Sequence, residues 1–401
     1  MNRIIILYTS DLYRGGVAFS VSRLSRLLVN RGWHAEVLTY EDLPVRYQAG
    51  TLSGVATLNC PYSRTSHKGA LKQLQVRIFR YPFVFVAAFR FSRFLNKVQA
   101  AGYGRDEITV IAFTHAPIVS ASLVKRFGRK PFRLIASERQ DPSRDLKNRY
   151  LRAILKWGYS VADLVHVNSP ALTPILTEVF DLPEARMALV PNVIDPASPE
   201  VLDSSLAILQ TGLDAKEIRA VAVGRLAPQK AVYLAPLILA ELKKAGYSVS
   251  LDIVGDGDEA IVRDIKTIAA HAGMTDEIHF LGERKEFRSE LGRYNLGMFL
   301  TNWESFGNVL GEYLAAGVVT LASDTKAGLV NYLEDGKHCL KIPVVHYEDA
   351  LESTEPERAA KRIAEVFADP GLALFLRTNA ISAAEAFSPS EHVAQFEKVV
   401  E

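Results

Sequence analysis

Cysteine is scarce in this chain. There are two among 401 residues, Cys60 and Cys339, far apart and in neither a CxxC nor a zinc-type spacing. That excludes a disulfide-stapled scaffold and fits a reducing, cytosolic setting. Long apolar runs are missing as well. No stretch approaches the roughly 20 residues that cross a bilayer. The N-terminal run "IIILY" is too short for a signal peptide and reads as a buried first strand. The dinucleotide fingerprint GxGxxG is not found: the chain reads "YTSDLYRGGVAFSV" after its first strand, and its second strand ends in Thr39-Tyr40-Glu41 without a clear ribose-binding context. Short-period repeats and low-complexity tracts are lacking too.

What is present is an ordinary soluble composition, 48% hydrophobic and 23% charged, long enough for two domains. The net charge of +2 hides an asymmetry. Residues 1–200 hold 27 Lys+Arg and 15 Asp+Glu (+12), and residues 201–401 hold 20 and 30 (−10). A basic half suits an anionic membrane surface, a phosphorylated substrate or nucleic acid.

Apolar strand-like runs alternate with amphipathic helical ones. "RIIILY" is followed by a helix apolar at Val21, Leu24, Leu27 and Leu28 that stops at Gly32, then by "HAEVLTY", "TVIAFT", "FRLIAS" and "DLVHVNS". The proline-rich stretch 188–200 breaks the pattern and reads as a linker. The alternation restarts with "RAVAVG", "SLDIVG", "EIHFLG", "LGMFLT" and "VTLAS", and the chain closes on a helix introduced by a serine, "SPSEHVAQFEKVVE". This predicts an α/β protein of two doubly wound, Rossmann-like domains facing a cleft: an N-terminal domain over 1–192, a C-terminal domain over 193–375, and a final segment 376–401 crossing back to the first. In such sheets ligands bind beyond the carboxyl ends of the strands, so the informative residues stand just after strands.

Several do. Gly15 and Gly16 open the first helix and let a backbone approach an anion, or are a plain turn. Arg225 and Lys230, in "VGRLAPQKA", can neutralise a diphosphate or be solvated surface charges. Asp256 and Asp258 form a DxD that could hold a cation, although acidification of a helix start is the better reading. His115 follows a strand, where a lone histidine is commonly structural. Glu138, Arg139, Asp141 and Arg144 make a charged loop, either solvated or acceptor-binding. In "WESFGNVLGEYLAAG", Glu304 and Glu312 lie eight residues apart. One continuous helix would separate them by about 12 Å of rise and about 80° of rotation, so they cannot converge on one atom. A helix beginning near Gly307 instead leaves Glu304 beyond its end and Glu312 in its second turn, with the N–H groups of Gly307, Asn308 and Val309 at the tip. The run 68–97 has basic residues, phenylalanines and Tyr81 but no acidic residue, which suits an anionic membrane interface or a helix pair with core aromatics.

In their order and spacing, "RGGVAFSVSRLSRLLVNRGWHAEVLT", "VPNVID", "VGRLAPQK", "DIVGDGDE", "HFLGERKE" and "ESFGNVLGEYLAAG" resemble the retaining glycosyltransferases of the GT-B fold, in the family numbered 4. The resemblance spans most of the chain. It implies a nucleotide-sugar donor, a UDP-sugar such as a UDP-N-acetylhexosamine, and no metal or other cofactor. It implies that Glu304 opens an E-x7-E motif beside the donor sugar, and that Glu312 closes it on the ribose. Arg225 and Lys230 would hold the diphosphate, Gly15 and Gly16 would approach the phosphates, and His115 would stand near the donor sugar. Phe306, Gly307, Asn308 and Val309 would meet the donor through backbone N–H groups, and Arg284 would lie near the base. Glu138, Arg139 and Arg144 would serve the acceptor, a lipid-linked or polysaccharide glycan at the cytoplasmic face of a membrane. Ala231, Val318-Val319 and Asn331 depart from the family pattern without removing a charged donor-site group. A GT-B epimerase or phosphorylase and a non-catalytic scaffold of this fold are the competing readings, with nucleic-acid binding least supported.

Overall fold

The structure is a computed structural model. It describes residues 3–10, 16–40, 55–58, 82–128, 131–146, 148–284 and 287–400. The chain divides into two compact units, Met1–Asn192 with His392–Glu401, and Val193–Glu391.

The first unit is built on a seven-stranded parallel sheet. Its strands are β1 (Ile4–Thr9), β2 (His34–Thr39), β3 (Val55–Thr57), β4 (Ile108–Phe113), β5 (Arg133–Glu138), β6 (Leu164–Val167) and β7 (Met187–Leu189), in the order β3-β2-β1-β4-β5-β6-β7. Strands such as β1 and β4 are buried along their whole length, as a sheet covered on both faces requires. On one face Ile4, Ile6 and Tyr8 pack with Phe91, Ile118 and Leu155, from helices Pro82–Ala100, His115–Phe127 and Arg149–Val161. On the other, Ile5 and Leu7 pack with Val21 and Leu24 of helix Gly16–Asn30 and with Phe396 of the last helix, Pro389–Val400.

The crossing segment is shorter than the sequence reading that began it at 376. Helix Pro370–Glu385 stays with the second unit, where Arg377 donates to Ser205 Oγ (2.7 Å) and to the carbonyls of Gly317 (2.8 Å) and Leu202 (2.7 Å). Only Pro389–Val400 packs on the first sheet. There Trp33 Nε1 donates to Glu397 (3.1 Å) and His392 Nδ1 to the Pro191 carbonyl (2.8 Å).

The second unit repeats the plan with six parallel strands: β8 (Glu217–Val223), β9 (Ser248–Val254), β10 (Ile278–Gly282), β11 (Leu296–Phe299), β12 (Val319–Ser323) and β13 (Leu340–Ile342), ordered β10-β9-β8-β11-β12-β13. Both sheets therefore reverse strand order beside their first strand, between β1 and β4 and between β8 and β11, which is where doubly wound folds place ligands. In the second sheet that point is open. β8 and β11 are in register only at Ala220↔Leu296 and Val221↔Gly297. Beyond it the buried Tyr313 hydroxyl takes over, accepting from Val223 N (3.0 Å) and donating to the Val221 carbonyl (3.3 Å).

Helix Asn308–Ala315 starts at Gly307, whose φ of +91° suits glycine. A methyl group there would come within 2.6 Å of Phe299 Cζ, whereas one at Gly336 (φ +74°) would meet nothing within 4 Å. Gly307→Ala is expected to cost roughly 1–3 kcal/mol more than Gly336→Ala in urea denaturation of the whole protein, since both carry the backbone penalty and only the first adds a clash.

Burial, with Arg139 nearby, pushes the His392 imidazole down to about 4 from the usual 6.5. Between these values the unfolded chain holds a proton that the folded chain does not, so stability falls as pH falls from 6.5 to 4. The loss from His392 should approach about 3 kcal/mol at the acid end. Urea titrations at pH 7 and pH 4.5 should show a smaller pH difference in His392→Gln than in the wild type.

Candidate active site

The second unit gathers the residues singled out after its strands. The loop after β8 is zipped to the loop after β11. Asn302 N donates to the Gln229 carbonyl (2.8 Å), Gln229 Nε2 to the Trp303 carbonyl (2.7 Å), and Asn302 Nδ2 to the Pro228 carbonyl (3.1 Å). This zipper sets Lys230 Nζ directly on Glu304, both side chains mostly covered, with the ammonium 5.3 Å from the Phe299 ring centroid. Arg225, on the same loop, is exposed and makes no ion pair among the described residues.

Beside this loop runs the turn after β9. A methyl group at Gly255 (φ +136°) would lie 2.0 Å from the Gly224 carbonyl oxygen, so the two turns are in backbone contact. Asp258 caps helix Glu259–His271 by accepting from Ala260 N (2.9 Å), the helix-start reading of the DxD. No cluster of metal-ligating side chains occurs among the described residues.

Helix Asn308–Ala315 presents its N-terminus next to Glu304, with no side-chain cap on its first N–H groups. Phe306 is buried, and its carbonyl accepts from Leu329 N (2.6 Å). Asn308 and Val309 are half-buried in the first turn. Glu312 stands in the second turn, 3.9 Å from Arg288 Nε. Arg288 is itself clamped by Asp195, through the carboxylate (2.7 Å) and the main-chain carbonyl (2.9 Å). Arg284 binds Glu290 (3.0 Å) and none of the donor-site candidates among the described residues.

In the first unit Gly16 is the exposed first residue of its helix, and Gly15 lies outside the described residues. The reading of this charged loop as solvated is corrected for Glu138 and Arg139. Glu138 is 0% and Arg139 4% exposed. Glu138 Oε1 accepts from Arg139 N (2.9 Å) and Gln140 N (3.1 Å). Its Oε2 accepts from the Tyr159 hydroxyl (2.5 Å) and lies 3.4 Å from His115 Nε2. Burial alone would raise this carboxyl, but His115, the Tyr159 hydroxyl and the Arg139 N–H together hold it below the ordinary carboxylate value. Arg139 bonds Asn192 and Ser137 Oγ (3.3 Å), and burial lowers it to about 10, against the pull of Glu138. Neither side chain is therefore presented to an acceptor in this arrangement. Arg144 is exposed, with Nε on Asp141 (3.1 Å).

Sequence reasoning assigned no role to Asp195, Arg288, Tyr159 or Thr114. Asp195 stands in the quoted "VPNVID", but its partner Arg288 is 93 residues away. Thr114 is a non-glycine residue at φ +69°, ψ 171°, a region otherwise left to glycine, immediately before His115.

Comparisons with known proteins agree with this fold. Residues 14–198 match the model of Glycosyltransferase Family 4, and residues 207–385 match that of Glycosyl transferases group 1. No curated protein matches the chain. Among solved structures, HepE of Anabaena, crystallised with UDP and glucose, is 18% identical with a TM-score of 0.73, over 99% of this chain and 98% of that one. Sucrose-phosphate synthase of Thermosynechococcus elongatus is 19% identical with a TM-score of 0.74, over 99% and 98%. The lipopolysaccharide outer core galactosyltransferase WaaB is 14% identical with a TM-score of 0.68, over 99% of both chains. With one glycosyltransferase model matched in each half and the doubly wound sheets of these structures, the chain belongs to the GT-B glycosyltransferases.

Proposed function

We propose that the protein is a retaining hexosyltransferase that moves a sugar from a UDP-sugar to a lipid-linked or polysaccharide acceptor in bacterial surface-glycan synthesis. The observation that carries this reading is the Lys230–Glu304 pair, held by the β8 and β11 loops, with Glu304 beside the N-terminus of helix Asn308–Ala315 and exposed Arg225 on the β8 loop. Departure of a nucleoside diphosphate builds negative charge on the β-phosphate. A guanidinium, an ammonium and uncapped helix N–H groups stabilise that charge without further reorganisation. Glu304 and His115 serve the donor sugar. Glu312, steadied by Arg288, accepts from the ribose hydroxyls. The C–O bond to the diphosphate breaks, and the acceptor oxygen bonds to the anomeric carbon on the same face. Its proton passes to the leaving phosphate oxygen beside it. The UDP and glucose of the HepE structure support a uridine nucleotide in this role.

The reading includes contact with an anionic membrane through the run 68–97. Residues 68–81 lie outside the described residues. In helix Pro82–Ala100, Phe91 and Leu95 enter the core while Phe85 and Phe89 are 66% and 65% exposed. Arg93 and Lys97 continue the same stripe at four-residue spacing. Apolar rings flanked by cations suit an anionic interface. No described helix is long and apolar enough to cross a membrane.

A thermal-shift screen against UDP, GDP, ADP and their sugar conjugates tests the donor. Saturating UDP-sugar, at about a hundredfold its dissociation constant, should stabilise by about 2.7 kcal/mol. Glu312→Ala and Lys230→Ala should lose the shift. No shift with any nucleotide would leave a GT-B scaffold without transferase activity. In flotation with vesicles of mixed zwitterionic and anionic lipid, the wild type should rise with the lipid and Phe85→Ser/Phe89→Ser should stay behind. A wild type that also stays behind removes the membrane from the reading.

A further inference from the structure

The residues that line up behind His115 form a complete arrangement with no assigned task. β4 and β5 are neighbours, and Thr114 N donates to the Ser137 carbonyl (3.3 Å), tying their ends together one position before His115 and Glu138. The strained backbone at Thr114 directs the first residue of the next helix toward the neighbouring strand. Glu138 receives it with a carboxylate whose four acceptor positions are all used: two main-chain N–H groups on Oε1, and the Tyr159 hydroxyl and His115 Nε2 on Oε2. A fully buried carboxylate this well supplied with donors stays ionised, and an ionised carboxylate within 4 Å favours a proton on the facing nitrogen.

We propose that Glu138 is a positioning residue of the reaction, which fixes the His115 ring, keeps its Nε2 protonated and favours the imidazolium. Tyr159 supports Glu138 from behind. Nε2 is committed to Glu138, and the ring is partly exposed. A cationic ring held there adds positive charge where β4 and β5 end. The other groups facing the pair are the Arg139 guanidinium, turned to Asn192 and Ser137, and the Tyr159 hydroxyl. This places Glu138 behind the reacting groups and not among the acceptor's ligands. The inference rests on the transferase reading for its consequence on rate, while its geometry can be tested without any substrate.

The experiment is a ¹⁵N NMR titration of histidine-labelled full-length protein, the His115 signals being assigned by their loss in His115→Gln. In the wild type, the neutral ring should carry its proton on Nε2. Glu138→Gln should lower the pH at which His115 titrates, and should cut kcat by about tenfold or more while the KM for the donor changes little. In a His115→Ala background, Glu138→Gln should cost no further turnover. A wild-type ring protonated on Nδ1 overturns the proposal, even if Glu138→Gln does not fold. An unchanged His115 titration in a folded Glu138→Gln protein overturns it as well. If the NMR results are as expected but no nucleotide sugar binds, the pairing stands and the transferase reading falls.

Discussion

A parallel sheet with helices on both faces leaves its backbone no place to turn except at its ends, and every strand delivers its following loop to the same edge. That constraint decides where chemistry can be built in each unit. His115 follows β4 and Glu138 ends β5, while Arg225 and Lys230 follow β8 and Glu304 follows β11. They are distant in sequence and adjacent in space because neighbouring strands end together. The reversal of strand order beside β1 and beside β8 adds room at that edge, since the two helices that follow flanking strands depart to opposite faces. Tyr313 shows the consequence at atomic scale. Where β8 and β11 cease to pair, a side-chain hydroxyl from the next helix satisfies the backbone, and so fixes that helix, with Glu312 beside it, to the opening.

Charges at the two edges are handled differently, and burial explains the difference. Lys230 and Glu304 are paired but partly exposed, so water screens the attraction and the pair can be reopened at modest cost. Glu138 is sealed from water, and its desolvation is offset only because four donors converge on it. Removing one partner of such a group leaves a buried charge incompletely compensated, so it suits a permanent support better than a ligand.

Much of the fold was legible because strand and helix periodicities alternate cleanly through both halves, as in "RIIILY" followed by Val21, Leu24 and Leu28. The linker prolines near 191 stand where the two compact units divide. The helix beginning at Gly307 was readable from a glycine placed between a strand and an amphipathic stretch. Helix Pro199–Ala215 escaped notice because it follows the linker prolines directly, although Ser198 caps it by accepting from Val201 N (3.4 Å). The loop 136–144 misled for a clearer reason. Its composition is that of a solvated loop, and nothing local reveals that Tyr159, 21 residues on, reaches back to Glu138, or that Arg139 meets Asn192 53 residues on. Long-range pairing of buried charge is a property of the folded edge and leaves no spacing in the chain.

The same reasoning separates residues that a motif can assign from those it cannot. Lys230 and Glu304 belong to recurring strand-end stretches, so their types and spacing point to them even before their contact is known. Arg288 and Asp195 carry no such pattern, yet they hold Glu312 from behind as Tyr159 holds Glu138. In both units a group facing the edge is steadied by a partner from a different element. Rigid placement of a charge requires such a partner, because a long flexible side chain left to itself samples many rotamers and loses entropy when a ligand selects one. The supporting residues are therefore as much a requirement of the chemistry as the residues that touch the ligand, and they become identifiable only once the strands are set side by side.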